Sequence, residues 1–154
     1  MTLAIRTDRL INNPAVAPVT DAAVLVDEQT GLITYAGPAG QMPETADRTI
    51  DCGGWTVLPG LIDTHTHITA NLASGLTLEQ MLTADPTTAA LRGHANLASD
   101  LRSGVTTMRT LGDPQGVDVA FREAIAAGTI DGPGLHVCAR ALRPSHGTAR
   151  FLPT

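Results

Sequence analysis

An α/β fold is predicted from three observations. The first third of the chain reads as paired strands, the remainder alternates single strands with helices, and a Pro-Gly turn opens an apolar strand between the two regions. Strand pairs around short loops build antiparallel sheet, whereas strands separated by helices build parallel sheet with right-handed crossovers. The boundary falls at the apolar strand, so residues 1–56 are read as a β-rich unit and residues 57–154 as a β/α unit.

Residues 3–11 and 22–36 read as strands. Ala22-Ala-Val-Leu-Val26 and Leu32-Ile-Thr-Tyr-Ala36 flank Asp27-Glu-Gln-Thr-Gly31, whose glycine can take the positive φ that a hairpin loop of this length often needs. Residues 37–47 contain Pro38 and Pro43 and read as a loop, after which a further short pair of strands leads into Val57. The next strand is Val57-Leu-Pro-Gly-Leu-Ile-Asp-Thr-His-Thr-His-Ile68. A long loop, Thr69 to Ala84, follows, with a short helix where Thr77 and Gln80 have the spacing of a capping box. Asp85 is suited to the N-cap of a helix that starts on Pro86, and Gly104 stands where a C′ residue belongs. Ala90, Leu91, Leu97, Ala98 and Leu101 recur along that helix at helical spacing. A strand over 105–109 comes next. Val117, Ala120, Phe121, Ala124 and Ile125 share one face of a second helix ending near Gly128, and Leu135 to Ala139 is the third strand of the alternation.

With 154 residues and 43% hydrophobic content, the chain can bury a core of ordinary single-domain size. A formal charge of -5 leaves no basic stripe for a phosphate backbone, which excludes nucleic acid as a partner. Cys52 and Cys138 lack the close spacing of a thiolate metal site or redox pair and are expected to be reduced, buried thiols. Arg6, Asp8 and Arg9 break the N-terminus into charge too early for a signal peptide. Every apolar run is far shorter than a membrane span, so a cytoplasmic location without a membrane partner is expected.

The chemistry concentrates at His65 and His67. Side chains two apart on a strand point the same way, so two imidazoles so spaced can grip one ion. Imidazole nitrogen suits zinc and related divalent ions. The same parity continues back to Asp63, a carboxylate that can either orient a ligand imidazole or serve as an ordinary hydrogen-bonded aspartate.

The run Leu58-Pro-Gly-Leu-Ile-Asp-Thr-His-Thr-His67 resembles the first-strand signature of the metal-dependent amidohydrolase superfamily, and Ile50-Asp-Cys-Gly-Gly-Trp-Thr-Val57 resembles the segment that precedes it. Gly104-Val-Thr-Thr-Met-Arg-Thr-Leu-Gly-Asp113 and Gly132-Pro-Gly-Leu-His-Val-Cys-Ala-Arg140 are similar to the second and third barrel strands. The combination is most similar to the imidazolonepropionase-like and prolidase-like (Xaa-Pro dipeptidase) branch. That resemblance implies the first three β/α units of a TIM-type (β/α)8 barrel, preceded by a small β-sandwich-like unit. A closed barrel takes about 250 residues, so the chain is expected to be an N-terminal fragment that catalyses nothing alone.

For the intact protein the resemblance implies hydrolysis of a carbon-nitrogen bond in a small-molecule substrate (an amide, cyclic amide, amidine or dipeptide) by metal-activated water. One or two zinc ions are the expected cofactor, with His65 and His67 as ligands. The other ligands of the family, a carboxylated lysine or acidic bridge and two histidines, come from later strands together with a proton-moving aspartate; this chain has no lysine. Barrel active sites lie at the C-terminal strand ends, so His65 and His67, residues 109–113 and residues 140–151 are expected on one face. His146, in Arg143-Pro-Ser-His-Gly147, is the implied substrate contact. Ser145 beside it is not a nucleophile, because no glycine elbow surrounds it. Asp113, ahead of Pro114, reads as a helix N-cap rather than a catalyst. Arg109 faces either the site or an exterior salt bridge, and His94 and His136 lie away from the strand ends. A non-catalytic amidohydrolase-fold scaffold is the alternative, and the sequence allows a homo-oligomer without setting its size.

Overall fold

A computed structural model describes residues 1–142 and Pro144. The chain forms two compact units, Met1–Pro59 and Gly60–Thr154.

The first unit is a sheet of β1 (Thr2–Leu10), β2 (Val19–Asp27), β3 (Leu32–Pro38) and β4 (Arg48–Val57), in the order β3-β2-β1-β4. β1 and β3 run antiparallel to β2, and β4 runs parallel to β1. The β2-β3 loop closes as its residues suggest: Gly31 has φ 71° and donates its amide to the Asp27 carbonyl at 2.8 Å. Ala22, Ala23, Val24 and Leu25 are buried in succession, so β2 is covered on both faces. The short strand pair expected before Val57 is instead one strand interrupted by a bulge. The register steps from Thr7↔Cys52 to Arg9↔Thr56, Gly54 takes φ 77°, and the Thr7 hydroxyl donates to the Trp55 carbonyl at 2.7 Å. Gly53 and Gly54 lie where the extra residues are absorbed within a continuing strand.

The second unit holds β5 (Leu61–Thr66), α1 (Leu78–Leu82), α2 (Pro86–Arg102), β6 (Val105–Thr110), α3 (Val117–Ala126) and β7 (Gly134–His136). Its sheet runs β5-β6-β7, parallel throughout. Asp85 caps α2 by accepting from the amides of Thr87 and Thr88, both at 3.0 Å, and Thr77 and Gln80 form the capping box of α1. Ile68, Leu97, Met108 and Phe121 form the core between sheet and helices, with Val117, Ile125 and Leu135 packed against it.

Two expectations shift. The buried line of α2 is Ala89, Gly93 and Leu97, one residue every turn, whereas Leu91 is 71% exposed and Leu101 is exposed as well. Small residues on the inner line let α3 approach, and that is the face the sequence hides, because leucines outweigh alanine and glycine in any hydropathy count. β7 spans only 134–136 rather than 135–139, because the chain breaks from sheet geometry and Ala139 adopts φ 62°. No helix among the described residues is long and apolar enough to cross a membrane.

A methyl group at Gly93 would sit 2.6 Å from the Phe121 ring and 3.2 Å from the Ile68 side chain. Overpacking costs about 1–3 kcal/mol while alanine gains about 1 kcal/mol in helix propensity. Gly93→Ala should therefore lower the urea midpoint; a raised midpoint would mean that the helices do not meet this closely.

Candidate metal centre

β5 changes face partway along its length. Its residues pair with β6 as Asp63↔Met108 and then Thr66↔Thr110, three steps against two, which is a bulge. Cross-strand partners share a face, so Asp63 and Thr66 lie on the helix side with buried Met108 and Thr110. His65 and His67 lie on the other side. The parity that would group Asp63 with the two histidines is broken by that one extra residue. The Asp63 carboxylate accepts the main-chain amide of His65 at 3.0 Å rather than an imidazole N–H. It also stands near Asp100, whose carboxyl is pushed up by burial and by this neighbouring charge.

Arg109 completes the bulge from β6. Its Nε donates to the Thr64 carbonyl at 2.8 Å, a group left over where the ladder is interrupted. Of the two positions open to Arg109, it takes the one against the histidine strand.

The rings of His65 and His67 have centroids 6.0 Å apart and planes inclined by 71°. His67 Nδ1 lies 2.6 Å from the Gly112 carbonyl oxygen. A carbonyl only accepts, so Nδ1 carries the proton and donates, leaving the Nε2 lone pair free. An outer hydrogen bond of this kind is the usual partner of a metal-ligating histidine. With Zn–N near 2.0–2.1 Å, two imidazoles on one tetrahedral ion have ring centres roughly 5 Å apart. The observed 6.0 Å is wider than that by about 1 Å, so the two rings supply the donor chemistry a divalent cation needs at somewhat more than its spacing. Among the described residues no third His, Cys, Asp or Glu joins them as a ligand set.

The histidines open onto a depression of about 700 Å³ whose walls include Leu111, Cys138, Arg140 and Leu142. Strand ends β5, β6 and β7 thus contribute to one concavity. Cys138, expected to be buried, is exposed there, because β7 ends before it. Desolvation and the carboxylates of Asp118 and Asp113 raise its thiol pKa, so it is not poised as a thiolate. Cys52 is half-buried. His94 is exposed on α2, and His136, expected near the start of its strand, is exposed as the last residue of β7, paired with Arg109. His146 and Ser145 lie outside the described residues.

The amidohydrolase family profile matches residues 56–148, more than half of the chain. The chain belongs to the amidohydrolase family. Over 50 residues it is 52% identical to imidazolonepropionase of Pseudomonas entomophila (strain L48), covering 32% of this chain and 12% of that protein. Over 70 residues it is 43% identical to 5-methylthioadenosine/S-adenosylhomocysteine deaminase of Desulforudis audaxviator (strain MP104C), covering 43% of this chain and 16% of that protein. A prolidase crystallised with N-methylphosphonate-L-proline shares the fold at TM-score 0.77 and 24% identity, over 99% of this chain and 35% of that one. This amidohydrolase chain thus spans about a third of the prolidase. The family is generally metal-dependent.

Three buried or half-buried polar residues near the strand ends take partners that the sequence did not signal. Asp113 occupies the N-cap position of a short 3-10 turn, Pro114–Gly116, but makes no capping bond. Instead its carboxylate is buried and accepts from the Ile68 amide at 3.2 Å and from the Thr69 amide and hydroxyl, each at 2.8 Å. An Asp before Pro signals a cap locally; the competing donors come from 44 and 45 residues away. Asn96 donates to the Ile68 and Ala70 carbonyls at 2.8 and 3.2 Å. Asp118, fully buried, accepts from the Thr110 hydroxyl at 2.7 Å and the Ala139 amide at 3.1 Å, tying β6 to the chain that follows β7. An acidic residue on an otherwise apolar helical face was the available signal.

Gly112 has φ 105°, and a Cβ there would lie 2.6 Å from the Ala141 backbone nitrogen. Gly112→Ala should cost about 1–3 kcal/mol in chemical denaturation and disturb the His67 contact; an unchanged midpoint would contradict the close approach. Burial raises the Asp113 carboxyl above 3.8 against the opposing hydrogen bonds from Thr69 and Ile68. The folded state thus holds this proton to higher pH than the unfolded chain, so its contribution to stability is full below 3.8 and is lost as pH rises through the folded pKa. Asp113→Asn should flatten that part of the stability-pH curve; a slope identical to that of the parent would refute the assignment.

Proposed function

We propose that this chain is the metal-gripping first part of an amidohydrolase that cleaves a carbon-nitrogen bond of a small molecule, with His65 and His67 as metal ligands. The observation that carries this reading is the contact between His67 Nδ1 and the Gly112 carbonyl, because it leaves one ring nitrogen of His67 available at the rim of a concavity it shares with His65. Zinc is the proposed ion, and when bound it supplies a nucleophilic hydroxide from water and polarises the scissile carbonyl.

The chain's own residues hold and orient. The Gly112 carbonyl keeps His67 in the tautomer that presents Nε2. Asp63 acts on His65 through the main chain, fixing the bulge that turns the ring to the open face. Arg109 ties β6 to that bulge. The wall residues Leu111 and Leu142 give the concavity apolar surface, and Arg140 a positive charge. Further ligands would come from the rest of a (β/α)8 barrel, since this chain corresponds to 35% of the prolidase structure. The similar proteins include an imidazolonepropionase, a prolidase and a deaminase, and the substrate is proposed to be a small molecule with an amide, cyclic amide or amidine carbon-nitrogen bond. The substrate-contact role of His146 rests on the family resemblance alone.

In the full-length protein, removal of metal by a chelator should abolish hydrolysis and zinc should restore it. His65→Ala and His67→Ala should each weaken zinc binding by more than the 10–100-fold typical of losing an outer partner, measured by metal analysis after dialysis. Full metal content in both variants would sink the ligand assignment, and full metal content without any turnover on these substrate classes would favour the scaffold reading.

A further inference from the structure

We infer that Asp113 is a positioning residue for the metal-binding pair, holding the turn after His67 so that the imidazole stays on the Gly112 carbonyl. The inference rests on the ligand reading proposed above.

The geometry is a two-point clamp from one dipeptide. Gly112 accepts from the His67 ring at 2.6 Å, and the next residue, Asp113, takes the amides of Ile68 and Thr69 and the Thr69 hydroxyl. The carbonyls of the same turn are taken from the other side. Asn96 donates to Ile68 and Ala70, and Arg92 Nη1 donates to Thr69 at 3.3 Å. Residues 68–70 therefore have hydrogen-bond partners on both edges of the main chain, and Ile68 and Thr69 are buried at 1% and 0% exposure. The backbone leading out of His67 has no freedom to rotate without orphaning a buried polar group, which costs about 1–3 kcal/mol per group. A carboxylate is required rather than a single acceptor, because two oxygens serve donors that diverge: Oδ1 takes both Thr69 groups and Oδ2 takes Ile68. Asn offers only one of those oxygens and turns an N–H toward the Ile68 amide.

Asp118 supplies the control. It is equally buried and equally fastened to main chain, but its bonds reach Thr110 and Ala139, not the turn after His67. A residue that matters only for folding would behave alike at either position.

The test uses the full-length protein with ¹⁵N-labelled histidine; this chain contributes five histidines. Ring ¹⁵N shifts report which nitrogen of His67 bears the proton, and titration with zinc alone reports affinity. In the parent, His67 should show the Nδ1–H form. Asp113→Asn and Thr69→Val, each of which removes only part of the clamp, should populate the Nε2–H form and weaken zinc binding about 10–100-fold. Asp113→Ala should do so more strongly if it folds. Asp118→Asn should lower the denaturation midpoint while leaving the His67 ring signal and zinc affinity unchanged. Folded Asp113→Asn and Thr69→Val proteins with parental ring signals and parental zinc affinity would overturn the inference, as would an equal loss in Asp118→Asn. If zinc moves neither His65 nor His67 signals in the parent, the ligand reading fails, while the tautomer comparison still decides whether Asp113 positions the ring.

Discussion

The structure depends most on how the main chain is satisfied where β5 leaves the sheet. A strand that ends inside a fold leaves amides and carbonyls without ladder partners, and burying them unpaired is costly. Here the exit is buried, so Asp113 and Asn96 replace the ladder from opposite edges. The core depends on the same exit, because Ile68 is both a clamped residue and a member of the Leu97, Met108 and Phe121 cluster. Packing and polar satisfaction therefore meet at one residue next to a ligand candidate, and the ring of His67 inherits the rigidity of both.

Much of the second unit was legible from local chemistry. Asp85-Pro86, Thr77 with Gln80, and the Phe121 face of α3 act within a few residues of themselves, so the letters suffice. The two histidines were legible because a strand alternates. What was hidden required partners distant in the chain. Asp113 looked like a cap because Pro114 is its neighbour, whereas Ile68 and Thr69 reach it only once β5 and β6 are paired. Cys138 was read as a buried thiol from its spacing alone, and the strand expected to carry it ends three residues earlier than drawn, at His136. Leu91 looked buried because size was read as depth, when small residues on the inner line of α2 do the packing. The short strand pair expected before Val57 turned out to be one strand because a bulge at the glycines, set by pairing with β1, takes up the extra residues.

Charge in the site region is unusually one-sided at depth. Asp113 and Asp118 are both buried, and hydrogen bonds from amides and hydroxyls, rather than cationic side chains, meet them. Dipoles of this kind cost less to desolvate than a full ion pair and hold tighter geometry, which suits residues whose work is to fix backbone. Arg140, which carries charge in the walls of the concavity, is exposed.

The extra residue in β5 carries a wider meaning. Without it, the aspartate and both imidazoles would share an orientation, and the strand would have to choose between anchoring to its helices and displaying its rings. By slipping one position, the polypeptide does both in sequence: upstream letters obey the hydrophobic layer, downstream letters obey the open side. Were the same letters held in regular alternation from Asp63↔Met108 onward, both imidazoles would turn to the helix side, so the irregularity of this stretch matters as much as the identity of its residues.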